Sequence, residues 1–177
     1  DGVRITLDEQ AGPTAIMLSD VDVSFSGGKG VDINLTNVRN GNTTVDLTDV
    51  IANQLANAGG TGLEITALGL LATDSIDVTV DSSSFDMAGG DGINMLFDGA
   101  VGSAATVTMT GTGATDAAGA GLVIDATGGT DLLSASVTGL GSDFSRAMTG
   151  DGVSIHIVDQ AVPTTITLSD VTADTAG

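Results

Sequence analysis

The sequence predicts an all-β fold: a single-stranded parallel β-helix, or β-solenoid, of about six coils with three short strands per coil. Three observations predict it. A Gly followed by an alternating apolar run returns six times, a second alternating run follows each first one at nearly fixed distance, and helical periodicity is almost absent. The first run reads Gly2-Val3-Arg4-Ile5-Thr6-Leu7 and then Gly30-Val31-Asp32-Ile33-Asn34-Leu35. It returns at Gly62, Gly92, Gly121 and Gly152, at intervals of 28, 32, 30, 29 and 31 residues. The second run begins 14 or 15 residues after each Gly, at Ile16, Val45, Ile76, Val107, Ala135 and Ile166. Both runs alternate apolar residues with Thr, Asp, Asn or Ser, the pattern of a strand with one buried face.

A third apolar position falls nine or ten residues further on, at Phe25, Leu55, Phe85 and Phe144, with Asp116 and Thr175 in the fourth and sixth units. Each unit closes on a Gly-rich corner such as Gly27-Gly28-Lys29-Gly30 or Gly89-Gly90-Asp91-Gly92. Glycine suits a corner because it reaches positive φ without steric cost. Only Val50 to Ala58 could be read as a helix, and it is short. The domain is thus 1–177, with coils at approximately 1–29, 30–61, 62–91, 92–120, 121–151 and 152–177. No unit can hide its apolar face alone; stacking coil on coil pairs like strands and buries the apolar columns in a tube.

The Gly-x-Gly-apolar corner, the Thr-rich second strand and the Phe column resemble the right-handed parallel β-helix repeats of pectate-lyase-like folds and of bacterial surface adhesins and filaments. The resemblance spans essentially the whole chain. It implies the architecture and the right-handed winding; it does not imply an activity, because unrelated functions share this scaffold.

A longer repeat lies above the short one. Residues 1–22 match residues 151–172 at 13 of 22 positions, including Pro13-Thr14 with Pro163-Thr164 and Leu18-Ser19-Asp20-Val21 with Leu168-Ser169-Asp170-Val171. The first and sixth coils read as equivalent members of a 150-residue super-repeat, so the chain reads as a segment of a longer array. It opens on Asp1-Gly2-Val3, as a processed product or fragment would. Neither end carries a capping helix or polar coil, so caps are expected outside this stretch or from another copy.

Composition narrows the function. The chain has 21 Asp and 2 Glu against 4 Lys+Arg, a formal net charge of −19, which argues against a nucleic-acid partner. It has no Cys, Trp or Tyr, so thiol chemistry, thiolate metal sites and aromatic sugar platforms are missing. No apolar stretch approaches the roughly 18 residues of a membrane span.

Candidate chemistry is sparse. The cations Arg4, Lys29, Arg39 and Arg146 fall on different columns. The one imidazole, His156, belongs to an outward column with Thr6, Asn34, Thr66, Leu96 and Asp125, so an Asp125–His156 pair is expected with Ser154 two residues away; this reads as a surface pair, not a triad. Asp46 and Asp77 take the same outward place in adjacent coils, a separation that would suit a retaining glycosidase. Without sugar-binding aromatics, they read better as calcium ligands, together with the corner residues Asp91 and Asp151. Calcium is the one cofactor considered, and none is required. The Thr-rich second strands would suit a flat ice-binding face, but their outward column runs irregularly as Met17, Asp46, Asp77, Thr108, Ser136, Thr167.

The expectation is a non-enzymatic structural protein: an extracellular or cell-surface segment of an adhesin, stalk or filament. Its expected partners are other copies stacked end to end, and surface polysaccharide. The alternative is a carbohydrate-active or carbohydrate-binding β-helix whose site lies outside this segment.

Overall fold

A computed structural model describes residues 1–39, 41–55 and 59–174. Twelve strands wind through six coils, two per coil. The first strand of each coil is β1 (Val3–Asp8), β3 (Val31–Thr36), β5 (Leu63–Leu70), β7 (Ile93–Gly99), β9 (Leu122–Thr127) and β11 (Val153–Ile157). The second is β2 (Thr14–Asp22), β4 (Asn42–Ile51), β6 (Ser75–Asp81), β8 (Ala104–Thr110), β10 (Asp131–Asp143) and β12 (Thr165–Thr172). The odd strands form one six-stranded parallel sheet and the even strands another, each strand pairing only with its equivalents in the adjacent coils. No helix occurs among the described residues; Ala56 to Ala58 of the short helical candidate lie outside them, as does Thr175 of the third column.

The third side is a ladder rather than a third strand. Parallel bonds run from Val23 N to Ile51 O, Ala52 N to Ser84 O, Phe85 N to Gly113 O, Ala114 N to Asp143 O and Phe144 N to Thr172 O, at 2.8–3.0 Å. It stays short because two residues beyond each inward side chain the backbone turns left-handed, at Phe25, Gln54, Met87, Asp116 and Arg146, with φ between 55° and 60°. This corrects the expected column. The inward residues are Val23, Ala52, Phe85, Ala114, Phe144 and Ala173, which pack beside the column glycines. Phe25 instead lies on the left-handed corner and is 70% exposed. Leu55 is buried apart from the main core, with Ala88 and Ala117.

Inside the tube, Ile5, Ile33, Ile65, Met95, Ile124 and Ile155 stack in register on the first sheet. Across from them stack Leu18, Leu47, Val80, Met109, Val137 and Leu168 on the second. Where a column holds Phe, its neighbours are small: Phe97 lies between Ala67 and Ala126, and Phe85 between Ala52 and Ala114, so neighbouring coils interlock without overfilling a narrow bore.

The recurring glycines do a different job from the one expected. None of Gly2, Gly30, Gly62, Gly92, Gly121 and Gly152 has positive φ. They are there because the backbone of the next coil passes too close for a side chain. A Cβ on Gly30 would lie 2.6 Å from the carbonyl oxygen of Gly62, and one on Gly62 would lie 2.4 Å from that of Gly92. Gly92→Ala would set its Cβ 2.3 Å from that of Ala114 and 2.7 Å from the Gly121 oxygen, whereas a Cβ on Gly12 would meet nothing within 4 Å. Urea denaturation is expected to show a loss of about 3 kcal/mol for Gly92→Ala and no more than about 0.5 kcal/mol for Gly12→Ala.

Candidate functional site

The fold separates residues that a constant spacing would join. β5 pairs with β7 through a bulge in which Gly69, at φ 70°, is an extra residue. Everything after it is displaced, and Val78 rather than Ile76 falls between Val45 and Val107. Asp46 therefore pairs with Thr79, and Asp77 with Thr44 and Thr106; the two carboxylates are not ladder neighbours. The other two candidate calcium ligands are corner residues. Asp91 accepts the N–H of Ala120 at 2.9 Å and a bond from Asn94. Asp151 is exposed, and its backbone carbonyl accepts from Gly121 N at 3.0 Å. Among the described residues, no three acidic or His side chains converge as a metal site would require.

The outward column of the first sheet runs as read from the sequence: Thr6, Asn34, Thr66, Leu96, Asp125, His156. His156 Nδ1 lies 3.4 Å from Asp125 Oδ1 with its side chain 64% exposed. An exposed imidazole beside a carboxylate lacks the burial that would preorganise a nucleophile.

Two cations converge where none was expected. Arg4, Asp32 and Glu64 each stand two residues after a column glycine, so the stack brings them into one file. Arg4 Nε donates to Asp32 Oδ2 at 2.9 Å, and Arg4 reaches back to Asp1 at 2.6 Å. Lys29 Nζ donates to Asp32 Oδ1 at 3.2 Å and also to Glu64. Asn34 completes the shell around Asp32, whose side chain is 1% exposed. Burial pushes the Asp32 carboxyl up, but the bonds from Arg4, Lys29 and Asn34 outweigh it and hold its pKa below the ordinary carboxylate value. Burial likewise lowers Lys29, and its bonds to Glu64 and Asp32 more than offset that, leaving it raised. The lysine-to-aspartate spacing of three residues and the shared glycine offset were the available sequence signals.

Two surface features remain. A groove of about 380 Å³ lies over coils three to five, lined by Ser82, Ser84, Asp86, Gly111, Thr115 and Asp143 among others. Its carboxylates are occupied: Asp86 Oδ1 accepts from Thr115 N at 2.7 Å and from its hydroxyl, and Asp143 Oδ1 accepts from Ser145 N at 3.0 Å. Such groups hold corners together and are poor general bases. The second feature is the outer face of the even sheet. Thr106, Thr108 and Thr110 of β8 stand in register with Ser134, Ser136 and Thr138 of β10, and these with Thr165, Thr167 and Ser169 of β12. The corrected middle column runs Met17, Asp46, Thr79, Thr108, Ser136, Thr167, so its last four members all carry hydroxyls. Coils four to six thus present a hydroxyl grid without charge on an otherwise acidic molecule.

Comparison of the chain with protein-family models, with curated proteins and with solved structures returned no match.

The ion network carries a pH prediction. The folded pKa of Asp32 is depressed, so its stabilisation is complete above the unfolded value, about 3.9, and is lost as pH falls through the folded value below that. Lys29 is raised, so its share is complete below about 10.4 and is lost as pH rises through its folded value. Asp32→Asn should lower stability by about 2 kcal/mol near neutrality. In urea titrations the gap to the unsubstituted chain should stay level from about pH 5 to 9 and close below about pH 4. A gap that persists unchanged into acid would show that packing, not charge, is what the substitution removes.

Proposed function

We propose that this chain is a structural segment of an extracellular or cell-surface protein, an adhesin stalk or filament, wound as a right-handed β-helix of the pectate-lyase type and able to stack end to end. The observation that carries the reading is that each coil satisfies the next in the same way, through the same glycine column, apolar columns and corner bonds. Such a stack has no intrinsic length limit, and its stiffness comes from continuous parallel ladders. The right-handed winding is supported by the strong preference of parallel crossovers. Acidic sides keep neighbouring rods apart, which leaves the ends as the adhesive surfaces. Calcium enters as a counter-ion for the acidic corners, and salt would serve the same end by screening.

A second reading is favoured by the hydroxyl grid: a carbohydrate-binding solenoid whose neutral face lies along a neutral polysaccharide. Affinity electrophoresis would show retardation that Ser136→Glu abolishes.

For the structural reading, negative-stain images and light scattering across salt and calcium concentrations should show rods of constant width that lengthen along the solenoid axis. Compact monomers under every condition would overturn it.

A further inference from the structure

We infer that the open axial face of the sixth coil is built to carry a coil with the chemistry of residues 30–61, so that extension proceeds in five-coil units and the added unit begins at its second coil. The inference rests on the structural reading for its biological use, but its own footing is an interface already in the molecule, the one between coils one and two.

Coil six carries the residues with which coil one covers coil two. Gly152, Val153, Ile155, Ile166, Leu168 and Val171 repeat Gly2, Val3, Ile5, Ile16, Leu18 and Val21. In coil one, Ile16 pairs with Val45 and Leu18 with Leu47, and Ile16 is only 7% exposed although no coil lies beneath it among the described residues. Ile166 and Leu168 are covered by coil five below, yet each is 49% exposed. These side chains therefore bury themselves on the neighbour above, and in coil one that neighbour is β4.

The backbone agrees. Gly2, Val3, Glu9 and Val23 donate upward to the carbonyls of Lys29, Gly30, Thr36 and Ile51 at 2.8–3.0 Å. Their equivalents Gly152, Val153, Asp159 and Ala173 stand on the open edge. The corner acid agrees too. Asp1 accepts Lys29 N at 3.1 Å, and its carboxylate lies where only a glycine, Gly28, leaves room, with a Cβ there falling 2.8 Å from Oδ1. Asp151 is the same residue in the same place, so it calls for a Gly-x-Gly corner above it, as Gly28-Lys29-Gly30 supplies for Asp1. Docking coil one of another copy there would instead set Asp1 over Asp151, two carboxylates sharing the one guanidinium of Arg4 that Asp1 already holds at 2.6 Å. The contacts of Asp8 with Asn37 and of Ser24 with Asn53 do not carry over, coil six having Val158 and Asp174 there, and neither does that of Arg4 with Asp32, coil six having Ser154.

The last of these differences supplies a control. Two tandem chains test the inference: residues 1–177 followed directly by 28–177, and residues 1–177 followed by 1–177. In the first, amide exchange in β11 and β12 should slow about a hundredfold, to the level of β9 and β10. In the second these strands should be protected less than in the first. Ser154→Arg should raise the melting temperature of the first tandem, through a restored pair with the incoming Asp32, and leave the single chain unchanged. Equal or greater protection in the second tandem would overturn the inference, as would no protection in the first. Exchange in β3 to β8 reports folding in every sample, so a misfolded tandem is recognised and does not count as a lack of docking. Rods in electron micrographs together with an unprotected first tandem would sink this inference and spare the structural reading; protection without rods would do the reverse.

Discussion

Everything in this molecule depends on how closely one coil's backbone can pass another at the glycine column. From Gly2 to Gly121, a Cβ at each position would lie 2.4–2.8 Å from the carbonyl oxygen of the next column glycine. That approach fixes where each coil starts, and so brings the first strands into register from Val3 to Val153, with a single shift at the Gly69 bulge near the end of β5. It also fixes the bore. With glycine on one corner and a single inward residue on the short third side, the interior has room for aliphatic side chains and an occasional Phe. An inward Phe stands where its neighbours above and below are small, as Phe97 does between Ala67 and Ala126. The scarcity of aromatic residues follows from this geometry and does not need a functional cause.

The same geometry accounts for much of the acidity. The corners need residues that tolerate a left-handed backbone and that can accept an N–H from the next coil, and Asp does both. Asp20, Asp49, Asp116, Asp159 and Asp170 occupy left-handed positions. Asp1, Asp91 and Asp131 accept the N–H of Lys29, Ala120 and Ala161 in the coil above. A charge of −19 is then the accumulated result of many corners solved in one way. In the acidic groove both carboxylates are taken up in this way, so the groove, viewed residue by residue, is a set of satisfied turns.

The first sheet was legible in the sequence because its strands follow the glycine at constant distance: the outward column ending in Asp125 and His156 was read residue for residue. Legibility fell with distance from that anchor. The connection to the second strand takes a different number of residues in different coils, and the Gly69 bulge adds one that a count from Gly62 cannot detect. The misplaced Ile76 then produced the spurious Asp46–Asp77 pair and concealed the hydroxyl grid. Phe25 was misplaced for a related reason. It lies 23 residues after its glycine, as Phe85 and Phe144 do after theirs, yet coil one reaches the inward position two residues earlier, at Val23. The Arg4–Asp32–Lys29 network depends on a pairing across coils that column assignments taken one residue at a time do not reveal.

A final consequence concerns direction. The N–H of each column glycine donates toward the following coil: Gly2 to Lys29, Gly30 to Thr61, Gly62 to Asp91, Gly92 to Ala120 and Gly121 to Asp151. The inward side chains behave likewise, since Ile16 is sheltered by the coil above it while Ile166, with a coil only below, is not. The two axial faces are therefore different surfaces: at the column glycines one presents N–H donors and the other the carbonyls that receive them, while at other positions the bonds run back, as from Ser84 N to Val50 O and from Ala104 N to Asp74 O. Unlike faces cannot form a self-complementary pair about a two-fold axis. Contact between them is head-to-tail, and on a straight axis head-to-tail contact continues without closing. In the end-to-end assembly proposed above, such contact would confine growth to the solenoid axis, set by the same backbone spacing that builds a single coil.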